Sequence, residues 1–78
     1  MIDTMTIHVS FTKTVNKKGH MTDMSFMCNH TGEMLGFGCY TNGWFEMIEP
    51  STGSIRRFRS AALAWRTLNN TMVDKYGY

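Results

Sequence analysis

The sequence predicts an α+β domain, a four- to five-stranded antiparallel meander with one C-terminal helix packed on one face. Three observations carry this. Apolar and polar residues alternate through the first two thirds of the chain, turn residues recur between the alternating runs, and the last stretch switches to a three-four apolar spacing. Seventy-eight residues hold one hydrophobic core, because a second would need roughly 50 more, so residues 1–78 read as a single domain. An apolar fraction of 42% with 13% aromatics suits a packed globule, since disordered chains are poor in both.

Met5, Ile7, Val9, Phe11 and Val15 alternate with Thr6, His8, Ser10, Thr12 and Thr14, the pattern of a half-buried strand. Asn16-Lys17-Lys18-Gly19 is a polar run ending in glycine and reads as a hairpin loop. A second strand follows from about His20 to Asn29, and His30-Thr31-Gly32-Glu33 turns the chain again. Met34 to Thr41 is the third strand, weakened by Gly36 and Gly38. Asn42-Gly43 is the strongest local signal, because a type I′ turn needs positive φ at both central residues. Trp44 to Glu49 is strand four; Pro50-Ser51-Thr52-Gly53 turns into a short edge strand from Ser54 to Phe58. Ser60 then caps a helix whose stripe is Ala61, Ala64, Trp65, Leu68 and Met72. Its end falls either at Asn69-Asn70 or near Lys75, before Gly77.

Each turn also fixes which residues lie opposite one another. The loops predict Phe11 opposite Met24, Val9 opposite Phe26, Ile7 opposite Cys28, Phe26 opposite Phe37, Met24 opposite Cys39, and Cys28 opposite Leu35. They further place Phe37 opposite Ile48 and Ile48 opposite Ile55. One face then carries Ile7, Val9, Phe11, Met24, Phe26, Cys28, Leu35, Phe37, Ile48 and Ile55, and the helix packs there. The other face carries His8, Ser10, Thr12, Asp23 and Ser25, followed by a second apolar cluster of Met27, Met34, Tyr40, Phe45, Met47 and Phe58 with Arg56 beside it. A single helix cannot cover both faces, so this cluster is the predicted partner-binding surface, expected to accept charge at Phe45 or Met47 without unfolding.

Candidate chemistry is sparse. Cys28-Asn29-His30 puts two metal-ligating types on one strand face, with His20 and Cys39 elsewhere, but no second close pair completes a zinc set. The two cysteines read as small core residues, and no metal or cofactor is expected. Asp23, Glu33, Glu46 and Glu49 form no pair that the sequence places in a cleft, and no nucleophile elbow or phosphate-binding loop occurs. The Pro50 turn instead sets Glu46 across from Arg57 as an ion pair. The chain is therefore not read as an enzyme.

Net charge is only +2, yet its distribution is uneven. Residues 1–54 hold three basic and five acidic side chains, whereas 55–78 hold Arg56, Arg57, Arg59, Arg66 and Lys75 against Asp74 alone. Arg57, Arg59 and Arg66 are candidate contacts to an acidic protein or to phosphates, and nucleic-acid binding through this cluster is the alternative to a protein partner. Self-association through the open face would also cover it. No apolar run approaches the roughly 18–20 residues that span a bilayer, and residues 1–11 show no signal-peptide pattern, so no membrane partner and a cytoplasmic location are expected.

In size, architecture and lack of catalytic motifs, the chain resembles the small single-domain accessory proteins of bacteriophages and mobile elements, of which anti-CRISPR proteins are members. The resemblance implies a non-catalytic inhibitor that sterically blocks a host protein or defence complex in the host cytoplasm. Several such inhibitors are acidic mimics of DNA, a mechanism that a mildly basic chain does not fit.

Overall fold

A computed structural model describes residues 7–77. Strands β1 (Val9–Val15), β2 (Met21–Cys28), β3 (Met34–Thr41), β4 (Trp44–Glu49) and β5 (Ser54–Phe58) form one antiparallel sheet in sequence order, followed by helix α1 (Ala61–Tyr76). This is the predicted α+β meander. The expected start of the first strand at Met5 lies outside the described residues. Every strand pair is a hairpin, and the Asn42-Gly43 turn has φ values of 53° and 83°, as a type I′ turn requires. Ser60 is extended and its hydroxyl accepts the Leu63 N–H at 3.2 Å, so the cap forms where expected. The helix runs past Asn69-Asn70 to Tyr76, and Gly77, at φ 78°, donates its N–H to the Val73 carbonyl at 2.7 Å.

Two hairpin registers differ from expectation, with unequal consequences. In the first, the Asn16 side chain accepts the Lys18 and His20 amides, and the loop closes on an Asn16 N–H···His20 carbonyl bond of 2.9 Å. The strands slide by two residues to pair Val9 with Cys28 and Phe11 with Phe26. This leaves the side chains of Val9–Thr14 and Asp23–Cys28 on their predicted faces, while a register shift between Thr14 and Val15 pairs Val15 with Met21 and brings Met21 against the core. In the second, a bulge at Phe26/Met27 and the turn closed by Gly32 N–H···Cys28 carbonyl and Cys28 N–H···Glu33 carbonyl bonds set Phe26 opposite Gly36 and Met24 opposite Gly38. That differs by one residue and inverts β3, β4 and β5 relative to β1 and β2. The last two registers, Phe37 opposite Ile48 and Ile48 opposite Ile55, stand as predicted.

The core follows from this inversion. Val9, Phe26 and Cys28 from the first two strands, Phe45 and Met47 from β4, and Ala61, Ala64, Leu68 and Met72 from α1 are buried together. The glycines make this possible. A Cβ at Gly36 would lie 2.6 Å from the Met47 sulfur, and one at Gly38 would collide with the Glu46 carbonyl. Phe26 and Phe45 meet edge to face with centroids 6.1 Å apart, and Tyr40 stands at 5.4 Å from Phe45 with its hydroxyl accepting the Ala61 N–H at the start of the helix. Met24, Leu35, Phe58 and Trp65 are half-buried at the margin. Phe37, Ile48 and Ile55, expected in the core, occupy the opposite face.

The middle of the helix is fastened to the beginning of β1. Asn69, wholly buried, accepts the His8 N–H at 2.7 Å and the Val9 N–H at 3.1 Å through one side-chain oxygen. Trp65 Nε1 donates to the Val9 carbonyl at 2.8 Å. Two buried amides thus depend on a single acceptor.

Substituting Phe45→Ala should cost about 3–5 kcal/mol in denaturant unfolding, as for a large buried aromatic, whereas Ile55→Ala should cost under about 1 kcal/mol. Comparable losses at the two positions would contradict the observed register. Gly38→Ala should destabilise more than Gly36→Ala in the same measurement, because the first meets backbone and the second a flexible side chain.

Candidate binding surface

The uncovered face of the sheet is built from the residues that alternate with the core. Ser25, Phe37, Ile48 and Ile55 succeed one another directly across β2 to β5. Phe37 is 41% and Ile55 64% exposed, and Ile48 lies half-buried between them. With Asp23, Cys39 and Glu46 they line a shallow depression of about 220 Å³. A second depression, lined by Ser10, Thr12, Ser25, Met27 and Met34 among others, lies toward the β1 side. Three apolar side chains abreast on a face that no helix covers make a contiguous apolar stripe, which is the usual mark of a contact surface.

Polar groups flank the stripe. Arg57 donates to Glu46 at 2.8 Å, the cross-strand pair that the Pro50 turn predicts. The pair is largely exposed and contributes little to stability. Arg59 lies 4.8 Å over the ring of the exposed Trp44, which holds its planar cation against an aromatic face.

The predicted partner-binding residues separate into two sets. Met27 and Met34 do lie exposed on the open face, paired with each other beside the bulge. Phe45 and Met47 are fully buried beneath α1, and their placement on an open cluster is corrected by the one-residue register change. Tyr40, Arg56 and Phe58 follow them to the helix-covered side, where Arg56 pairs with Glu49 at 3.0 Å and lies 5.2 Å from the Phe58 ring centroid. Arg56 and Arg57 consequently point to opposite faces, and Arg66 is exposed on the helix, so the C-terminal arginines do not form one surface. Cys39, expected in the core, is exposed on the open face, again by the same inversion.

A second cluster was not legible in the sequence, because it joins three distant segments. His8 is buried, and its Nδ1 faces His30 Nε2 at 2.6 Å. The His30 ring stacks on Tyr76 with centroids 3.9 Å apart. His8 Nε2 is buried and has no hydrogen-bond partner among the described residues. Burial opposes ionisation of the neighbouring Cys28 thiol, but the Thr31 hydroxyl, the backbone amides of His30 and Thr31, and the Tyr76 hydroxyl all hydrogen-bond to it and together hold it below the ordinary value of 9.0. The cluster ties the last turn of α1 to the β2–β3 turn. Among the described residues no group of three or more His, Cys, Asp or Glu side chains is placed to hold a metal ion. No described helix is long and apolar enough to cross a membrane.

Compared with protein-family models, curated proteins and solved structures, the chain matches none.

Because folding lowers the Cys28 pKa, the native state sheds its proton before the unfolded chain does. The resulting stabilisation is complete above the unfolded thiol pKa and is lost as pH falls through the folded one. The stability difference between wild type and Cys28→Ser, read from urea unfolding, should therefore grow as pH rises from neutrality toward 9.0. A difference independent of pH would show that the surrounding donors do not favour the thiolate.

Proposed function

We propose that the protein is a non-catalytic binding domain whose open sheet face docks on another protein, in the manner of a small phage or mobile-element inhibitor that covers the working surface of a host protein or defence complex. The observation that carries this reading is the row Phe37–Ile48–Ile55, exposed across three adjacent strands on the face opposite the helix. All three side chains stand on paired strands, so the backbone that presents them is already ordered before binding. Trp44 and Arg59 at the margin supply the residue types that most often anchor interfaces. Arg57 and Arg59 would meet acidic groups at the rim of a partner, where charge guides encounter more than it adds affinity.

Both open-face depressions are broad and solvent-facing, which suits contact with a surface better than enclosure of a substrate. Dispersal of the arginines over two faces and the helix, with two of them ion-paired to carboxylates, weighs against a phosphate-tracking surface.

The test is capture from bacterial lysate by the tagged full chain, with and without nuclease, alongside Ile55→Glu. Wild type should retain a defined protein whether or not nuclease is present, and Ile55→Glu should lose at least about tenfold of it with its circular dichroism unchanged. Undiminished capture by Ile55→Glu would rule out the open face. Recovery that vanishes with nuclease would replace a protein partner with nucleic acid.

A further inference from the structure

We propose that β1 is the interface of a symmetric dimer in which two copies of the chain join edge to edge, antiparallel, into one continuous ten-stranded sheet. The hydrogen-bond phase of the first hairpin decides which backbone groups are available. Asn29 N–H bonds to the His8 carbonyl and Asn16 N–H to the His20 carbonyl, so within β1 the even-numbered residues Ser10, Thr12 and Thr14 direct their backbone groups toward β2, whereas His8, before the strand, turns its N–H to Asn69. Odd-numbered residues direct theirs outward. Val9 confirms the phase, because its N–H and carbonyl are taken by Asn69 and Trp65 of the helix. Beyond Val9 the helix supplies no further caps, and the outward N–H and carbonyl groups of Phe11 and Lys13 face the edge of the sheet. Two donors and two acceptors stand in strand geometry on a strand whose other side is already paired.

The side chains of this edge point the same way. Phe11 and Val15 of β1 and Ile7, which leads into it, are 55%, 50% and 61% exposed, a concentration of open apolar surface along this edge. Phe11 also borders a depression of about 270 Å³ formed with Lys13, Met24, Ala61, Ala62 and Trp65, between the edge and the helix. At the opposite edge, β5 carries Arg56 and Arg57, charges of the kind that keep strand edges apart, whereas β1 has Lys13 alone.

A second copy fits this edge by symmetry. With the two-fold axis at Thr12, Phe11 of each chain lies opposite Lys13 of the other, and both pairs are of the hydrogen-bonded kind. Four backbone bonds form, none of them requiring the groups already taken at Val9. The register also sorts charge: centring the axis on Lys13 would oppose two ammonium groups, whereas the Thr12 axis lays each lysine against an aromatic ring. Phe11 meets its counterpart diagonally on the helix side, and the two Thr12 side chains meet directly on the open side. No residue of the Phe37–Ile48–Ile55 row takes part, so the dimer would align two open faces side by side and leave both free.

The experiment is sedimentation equilibrium of the full chain from about 10 μM to 1 mM, comparing wild type, Lys13→Pro and Ile55→Glu. Proline at position 13 removes an outward N–H while the ladder to β2 keeps its own bonds. Wild type and Ile55→Glu should reach twice the 9.0 kDa chain mass, and Lys13→Pro should weaken association by about tenfold or more. A wild type that stays monomeric at 1 mM, or a dimer that survives Lys13→Pro, would overturn the proposal. A dimer lost only in Ile55→Glu would also overturn it and would move self-association to the open face. As a check independent of any variant, amide exchange at Phe11 and Lys13 of the wild type should slow as concentration rises, and exchange independent of concentration would count against the edge.

Discussion

Everything on this sheet depends on the pairing of β2 with β3. The Phe26/Met27 bulge and the turn at Cys28–Glu33 together set Phe26 opposite Gly36, and from there the period of two dictates every side chain as far as Phe58. The glycines supply the physical reason for this register. With Gly36 and Gly38 turned toward the helix, Met47 and Phe45 can lie against Phe26 in space that side chains on β3 would otherwise fill. The same choice sends Phe37, Ile48 and Ile55 outward. Core and candidate surface are thus two results of one register.

A single helix then has to hold a five-stranded sheet. It does so less by area than by placement: its N-terminus is fixed by Tyr40 and Ser60, its middle by Trp65 and Asn69 on Val9, and its last turn by Tyr76 against His30. Polar contacts at both ends of the helix direct a modest apolar stripe. This arrangement leaves much of β1 beyond Val9 open: Phe11 meets Ala61, Ala62 and Trp65 only across a depression, and both Phe11 and Val15 are at least half exposed.

Much of this was legible in the sequence. Strand order, the last three strands, the Asn42-Gly43 turn and the Ser60 cap all follow from local chemistry, and local chemistry decided them. Turn residues at Asn16–Gly19 are legible, but the Asn16 side chain binds two amides, the loop closes on Asn16 and His20, and a register shift between Thr14 and Val15 adds to the slide, none of which composition reveals. The one-residue change at β2–β3 was the consequential miss, since alternation along each strand fits either face when apolar residues occupy both. A signal was present in Gly36 and Gly38: two glycines at a spacing of two on one strand indicate a close approach on the face they share. The histidine, tyrosine and cysteine cluster had no sequence signature, as its members come from before β1, the β2–β3 turn and the end of the helix.

The order of the strands also governs how the chain comes together. Each strand pairs only with its immediate neighbour in sequence, so the sheet can be assembled by successive short loop closures without waiting for distant segments. The helix leaves the ribosome after all five strands. Until residues 61–76 have emerged, Phe26, Phe45 and Met47 have no cover, and the nascent sheet presents apolar side chains on both sides. Solubility during synthesis therefore rests on residues 61–76, and a truncation within α1 would expose the nascent protein to aggregation even though every strand was complete.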